Sequence, residues 1–228
     1  MKTIGIAAVS AEGAAACYKT IVRLAAEKLG PNMHPEVILD NPPFATILAA
    51  QNKGDWHAVG TLLADVINRM ADAGAMVAVI PANSAHFAYD EIAQKSKIPV
   101  ISIVEATVNE CVERDYKKVA VLGVGLTMSG KLYDESLRKR GVASIELNEA
   151  QQKRLNDIIY SELVNGKVVD SSLKEMLGML EGLKQKGVDA VLLACTELPM
   201  AITTDNAPLP FIDTTYLLAQ EVIDASLS

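Results

Sequence analysis

Eight short apolar runs constrain what this chain can fold into more than any other feature. They lie at 3–9, 36–40, 76–81, 99–103, 118–124, 143–147, 189–195 and 210–214. Their Val, Ile, Leu and Ala residues are continuous rather than alternating, which suits strands of a parallel sheet covered on both faces. Helical spacing fills several of the gaps. Over 56–73, Val59, Leu62, Leu63, Val66, Ile67 and Met70 form one stripe, with Asp55 as the cap and Gly74 as the stop. Over 172–186, Ser172 and Glu175 read as a capping box, Leu173, Met176, Leu177, Leu180 and Leu183 as the inner stripe, and Gly187 as the stop. Helices are also expected over 149–164 and over 129–140, the latter stopped by Gly141. Strand and helix in alternation predict an α/β fold with right-handed crossovers.

The pattern occurs twice. The segment 74–86 (GAMVAVIPANSAH) matches 187–199 (GVDAVLLACTELP): a glycine, a buried strand, then a polar turn. The run beginning at Lys2 resembles the one from Lys118, and 97–102 resembles 208–213. Three matches in one order predict two pseudo-symmetric, Rossmann-like α/β domains with parallel sheets. The expected division is 1–104, with 214–228 packing back on it, and 105–213. The ligand site is expected in a cleft between them, beyond the C-terminal ends of the strands.

Composition narrows the function classes. The chain has 228 residues, half of them hydrophobic, and a formal charge of −7. That charge, with basic clusters no longer than Arg138–Lys139–Arg140, argues against nucleic acid as a partner. No apolar run reaches the roughly 18 residues of a membrane span, and the opening MKTIGIAAVS reads as a strand rather than an export signal. Three cysteines at wide spacing are no disulfide framework, so a reduced, cytoplasmic setting is expected. The three histidines show no metal-ligand spacing.

Two turns carry the chemistry. After Pro81, Asn83 and Ser84 precede a helix start, a place suited to a small carboxylate because its first N–H groups lack partners. From that turn alone, simple helix capping is the stronger reading. The second turn holds Cys195, Thr196 and Glu197. A thiol at a helix N-terminus can have its pKa lowered and serve as nucleophile or base, with Glu197 placed to orient it or take its proton. Cys17 and Cys111, within helical patterns among Ala and Val, read as core. Superposing the repeats puts Ala82 against Cys195, a methyl against a thiol.

Taken together, MKTIGI, the Pro-x-Asn-Ser-Ala-His turn, IPVISIVEAT, GLTMSG and ACTEL resemble the aspartate/glutamate racemase superfamily over nearly the whole chain. The aspartate racemase branch is nearest, because Glu197 follows Cys195–Thr196. The resemblance implies cofactor-independent inversion of an amino acid by two cysteines, without pyridoxal phosphate or metal, in a protein that is often a homodimer. It makes Cys195 the surviving acid/base, gives Ala82 the position of the missing second cysteine, and has Glu197 assist Cys195. Ser10, Asn83, Ser84, Thr127 and Thr196 match substrate-binding positions, Ser10 more weakly.

The chain departs from the family pattern in three places. Ala82 stands among intact neighbours, which favours an engineered replacement over a natural loss. The loop 41–48 holds no cation where relatives acting on acidic amino acids place one, and Ile47 and Val164 fall near the expected charges, with Lys167 as a possible substitute. Ala7 and Ala8 replace glycines, so the first loop is expected to take another path. Two alternatives stand beside the racemase: a one-cysteine decarboxylase or isomerase on the same fold, and a non-catalytic small-molecule binding protein.

Overall fold

The computed structural model describes all 228 residues. Contacts divide them into two units, Met1–Ala106 with Thr215–Ser228, and Thr107–Thr214. In chain order the elements of the first are β1 (Ile4–Ala7), α1 (Ala11–Leu29), β2 (Val37–Asp40), α2 (Phe44–Asn52), α3 (Trp56–Asp72), β3 (Val77–Val79), α4 (Tyr89–Lys95) and β4 (Val100–Ile101). The chain passes between units within α5 (Ile103–Glu113). The second unit holds β5 (Lys118–Leu122), α6 (Gly125–Ser129), α7 (Asp134–Lys139), β6 (Ala143–Ser144), α8 (Glu149–Ser161), α9 (Asp170–Gln185), β7 (Ala190–Leu193) and β8 (Phe211–Asp213). The last helix, α10 (Thr214–Leu227), belongs to the first unit, where the N–H of Lys2 donates to the carbonyl of Ser226 at 2.7 Å.

Each unit has one four-stranded, all-parallel sheet, ordered β2-β1-β3-β4 in the first and β6-β5-β7-β8 in the second. The shared order is the physical form of the sequence repeat. All eight apolar runs are strands, trimmed at their ends. Burial explains the unbroken apolar pattern: every residue of β1, β3 and β7 is buried. The first core gathers Ile47, Leu63, Ile67, Met70 and Ile80; the second gathers Leu122, Leu155, Ile158, Leu180 and Leu193. In both sheets the strand order reverses beside the first strand of the unit. The turns after β1 and β3, and those after β5 and β7, therefore open at the C-terminal edge, where α/β sheets bind ligands.

The helix at 56–73 stands as read, with the Asp55 side chain accepting from the N–H of Ala58 at 3.0 Å. Two other readings need correction. Ser172 and Glu175 form no capping box: α9 starts earlier, at Asp170, so both lie inside it. There Ser172 Oγ donates to Glu162 at 2.7 Å, and Glu175 pairs with Arg154 at 2.7 Å. The capping box is instead at Asn148 and Gln151, ahead of α8. The helix expected over 129–140 is only α7, Asp134–Lys139: α6 ends at Ser129, and Lys131 between them adopts a left-handed conformation (φ 55) that no α-helix continues through. Ala7 ends β1 and Ala8 is fully buried, neither with positive φ, so glycine is not needed there.

Candidate functional site

In the first unit, β3 leads through Ile80 and Pro81 into Ala82 and Asn83, and then into a 3-10 turn at Ser84–Ala88 rather than directly into an α-helix. The N–H of Ala82 donates to Ile80 at 2.8 Å and that of His86 to Asn83 at 2.9 Å, so the turn is closed twice by its own backbone. Asn83 is buried and makes no capping bond to the turn that follows, which removes the simple capping reading for its side chain. Ser84 Oγ lies 3.4 Å from Gln51 Nε2 on α2. Ser10, on the neighbouring turn, caps α1 by accepting from the N–H of Gly13 at 3.2 Å. Ile47 is packed into the core of the first unit at 1 % exposure.

His86 is buried at the end of this turn. One ring nitrogen, Nδ1, is 3.0 Å from the carbonyl of Ala82, and Nε2 accepts from the N–H of Ile103 at 3.1 Å. Burial holds its pKa down, to about 4, against a smaller opposing effect from the Ala82 carbonyl. The ring is therefore neutral at physiological pH.

In the second unit, the N–H of Ala194 donates to the carbonyl of Leu122 at 2.7 Å, the last rung between β5 and β7, and the chain then turns at Cys195. Ala82 and Cys195 each lie five residues beyond the first residue of their strand, Val77 and Ala190. Cys195 Sγ donates to Glu197 Oε2 at 3.0 Å, and Thr196 Oγ1 donates to the same oxygen at 2.7 Å. One Glu197 oxygen therefore accepts from both neighbouring side chains. The thiol pKa is not lowered as the sequence suggested. Burial, and then the Glu197 charge beside it, push it far up, because both oppose a thiolate. Cys195 is a neutral thiol with its proton held toward a base. The helical dipole invoked for it is also absent: only a three-residue 3-10 turn, Leu198–Met200, follows.

The turn after β5 completes this half. A Cβ on Gly123 would stand 2.8 Å from the Ala194 carbonyl oxygen, so only glycine lets the two turns approach. The N–H of Gly125 donates to Asn156 Oδ1 on α8 at 2.8 Å. Thr127 is 1 % exposed and its Oγ1 has no hydrogen-bond partner. Tyr160, one turn beyond Asn156 on α8, has its pKa raised by burial and by Cys195 and Glu197. Asn156, Tyr160, Gln51 and the two glycines escaped the sequence reading. The Gly-Val-Gly after β5 and the i, i+4 spacing of Asn156 and Tyr160 were the available signals. The structure thus gathers Cys195, Thr196, Glu197 and Thr127 on adjacent turns of one unit, and Ser10, Asn83 and Ser84 on adjacent turns of the other. No group of three or more His, Cys, Asp or Glu is placed to hold a metal ion, and no helix is long and apolar enough to cross a membrane.

A parallel α/β unit built twice, with a thiol–carboxylate pair at one switch point, defines a class that the comparisons identify. Residues 6–222 match the Asp/Glu/Hydantoin racemase family, and the chain belongs to it. It is 28% identical over 195 residues to the broad specificity amino-acid racemase RacX of Bacillus subtilis (strain 168), covering 86% of this chain and 83% of that protein. Among solved structures it resembles a putative Asp/Glu racemase from Yersinia pestis, at TM-score 0.93 and 28% identity, with both chains fully covered. An aspartate racemase homologue from Pyrococcus horikoshii OT3 follows at TM-score 0.89 and 26% identity, also over the whole of both chains.

Proposed function

We propose that this protein handles the Cα proton of an amino acid without pyridoxal phosphate, as a racemase whose second proton carrier is replaced by Ala82. The pairing of Cys195 Sγ with Glu197 Oε2 carries the reading. When Sγ takes the Cα proton, its own proton passes to Glu197, and delivery of a proton to Cα runs the same path backwards. Neither step leaves a bare thiolate in a setting that disfavours one. Asn83, Ser84, Thr127 and Thr196 would hold the carboxylate and amino groups, and Ser10 contributes through the helix it caps. The unpartnered Oγ1 of Thr127 supports this, since a buried hydroxyl without a partner is costly unless a ligand supplies one. The loop 41–48 offers no cation, which supports substrates with uncharged side chains, and the likeness to a broad specificity amino-acid racemase supports more than one amino acid as substrate. A cytoplasmic homodimer acting on a small carboxylate, with no nucleic-acid or membrane partner, completes the reading.

Inversion needs a proton carrier on each face of Cα, and a methyl carries none. The expected behaviour is exchange of the Cα proton with retention, and little racemisation. A second reading draws on the same neutral thiol: one acid protonating a single face of an enediolate, as a decarboxylase of malonates needs. The test is incubation of the protein and of its Ala82→Cys variant with single enantiomers in D₂O, following Cα–H loss by NMR and inversion by chiral chromatography. Racemisation by Ala82→Cys alone supports the two-base reading. Equal racemisation by both refutes it, and carbon dioxide release from malonates would favour the decarboxylase.

A further inference from the structure

The proposed chemistry uses none of the three histidines, and His86 is the only one of them that is buried. Its two ring nitrogens have opposite partners. Nδ1 faces a carbonyl, which only a donor satisfies; Nε2 faces an N–H, which only an acceptor satisfies. These partners fix the ring as the neutral Nδ1–H tautomer. The backbone N–H of the same residue closes the turn a second time, onto Asn83. On the other side Ile103 is the first residue of α5, so its N–H has no partner within that helix. Ser102 caps the same helix through the N–H of Glu105 at 3.2 Å. The ring is also stacked on Tyr89, with centroids 5.6 Å apart and planes 7° apart. One side chain thus joins the residue-82 carbonyl to the start of a helix, with its own plane locked by an aromatic neighbour.

We propose that His86 is a positioning residue for this half-site: its Nδ1–H holds the Ala82 carbonyl, with the ring steadied by the Ile103 N–H and by Tyr89, and so sets where the side chain at position 82 and the polar groups of Asn83 and Ser84 stand. The inference rests on the reading that this turn serves catalysis. It separates two roles that one residue can play. If the bond to Ala82 matters, His86→Asn, which keeps an N–H near the Nδ1 position, retains the turn, whereas His86→Phe, which keeps the ring and its stacking on Tyr89, loses it. A packing role predicts the reverse order.

The experiment places both substitutions in the Ala82→Cys protein. It follows alkylation of the introduced thiol, resolved by peptide mass spectrometry, together with racemisation. His86→Phe is expected to change the alkylation rate by more than about tenfold and to lower kcat by about a hundredfold, as a displacement of the order of 1 Å does. KM should move less than kcat, and His86→Asn should stay near the parent in both. Retention by Phe with loss by Asn overturns the proposal. In the unsubstituted protein, nitrogen-15 NMR should show Nδ1 protonated and Nε2 bare at neutral pH; a ring protonated at Nε2 also overturns it. If Ala82→Cys racemises nothing, the racemase reading fails, while alkylation and the ring tautomer still decide the role of His86.

Discussion

The thiol of Cys195 and the hydroxyl of Thr196 both donate to one oxygen, Oε2 of Glu197, at 3.0 and 2.7 Å. The carboxylate is therefore what keeps the thiol protonated from outside, while burial does so from within. Glu197→Gln removes the charge but not the burial. The thiol pKa should fall, yet stay above that of an exposed cysteine, because burial is the larger cause. The pH dependence of Cys195 alkylation reads this directly. Cα-proton exchange should drop by roughly 10²-fold or more, the usual contribution of a positioned proton acceptor. An unchanged alkylation profile would show that the pair is not coupled.

Gly123 tests how closely the two turns of the second unit must approach. An added Cβ meets the backbone carbonyl of Ala194 at 2.8 Å, and backbone cannot swing aside as a side chain can. Gly123→Ala should cost about 1–3 kcal/mol, a fall in Tm of several degrees for a chain of this size. It should also disturb Cys195, the neighbour of Ala194. Gly178→Ala makes the contrasting case: nothing lies within 4 Å of its added methyl, and inside α9 alanine is favoured over glycine by about 1 kcal/mol, so its Tm should hold or rise. Equal Tm values for the two would show that the contact relaxes freely.

His86 gives the protein a pH dependence with a definite sign. Its pKa falls from 6.5 in the unfolded chain to about 4 in the fold. Between those values the unfolded state binds the extra proton, so stability rises with pH there. The full contribution is present above pH 6.5 and is lost as pH falls toward 4, up to about 3 kcal/mol in total. Glu91, Glu135 and Glu175 also have lowered values, but relative to 4.5, so their losses come at lower pH. Denaturant unfolding from pH 7 to 4 should therefore show a slope that His86→Asn lacks. Parallel curves would mean that the ring is charged in the fold.

The strands were legible because the central ones, β1, β3 and β7, are buried throughout, and burial leaves an apolar run in the sequence that no helix of that length would need. The repeat was legible for the same reason, since one strand order built twice leaves one pattern twice. The turn residues were located but their physics was not. The spacing already put Glu197 beside Cys195, but it suggested an activated thiol, whereas burial and the Glu197 charge raise the thiol pKa. Helix ends failed where short-range signals compete: Ser172 and Glu175 have capping spacing, but their partners, Glu162 and Arg154, lie on the preceding turn and helix. Asn156 and Tyr160 face the β5 and β7 turns from a helix far along the chain, a relation that spacing alone does not encode.

Thr127 allows stability and binding to be separated. Its Oγ1 is buried without a partner, so the fold without ligand bears the desolvation cost of that hydroxyl. Thr127→Val keeps the shape and removes the orphan. The unliganded protein should be no less stable, and up to about 1–3 kcal/mol more stable, by that reasoning. Substrate binding should weaken if the hydroxyl serves the carboxylate or amino group, because a hydrogen bond to a charged group is worth about 1.5–3 kcal/mol. KM for Cα-proton exchange should then rise by roughly tenfold or more while Tm holds or climbs. A drop in Tm with KM unchanged would place the hydroxyl in the structure of the unit rather than in its site.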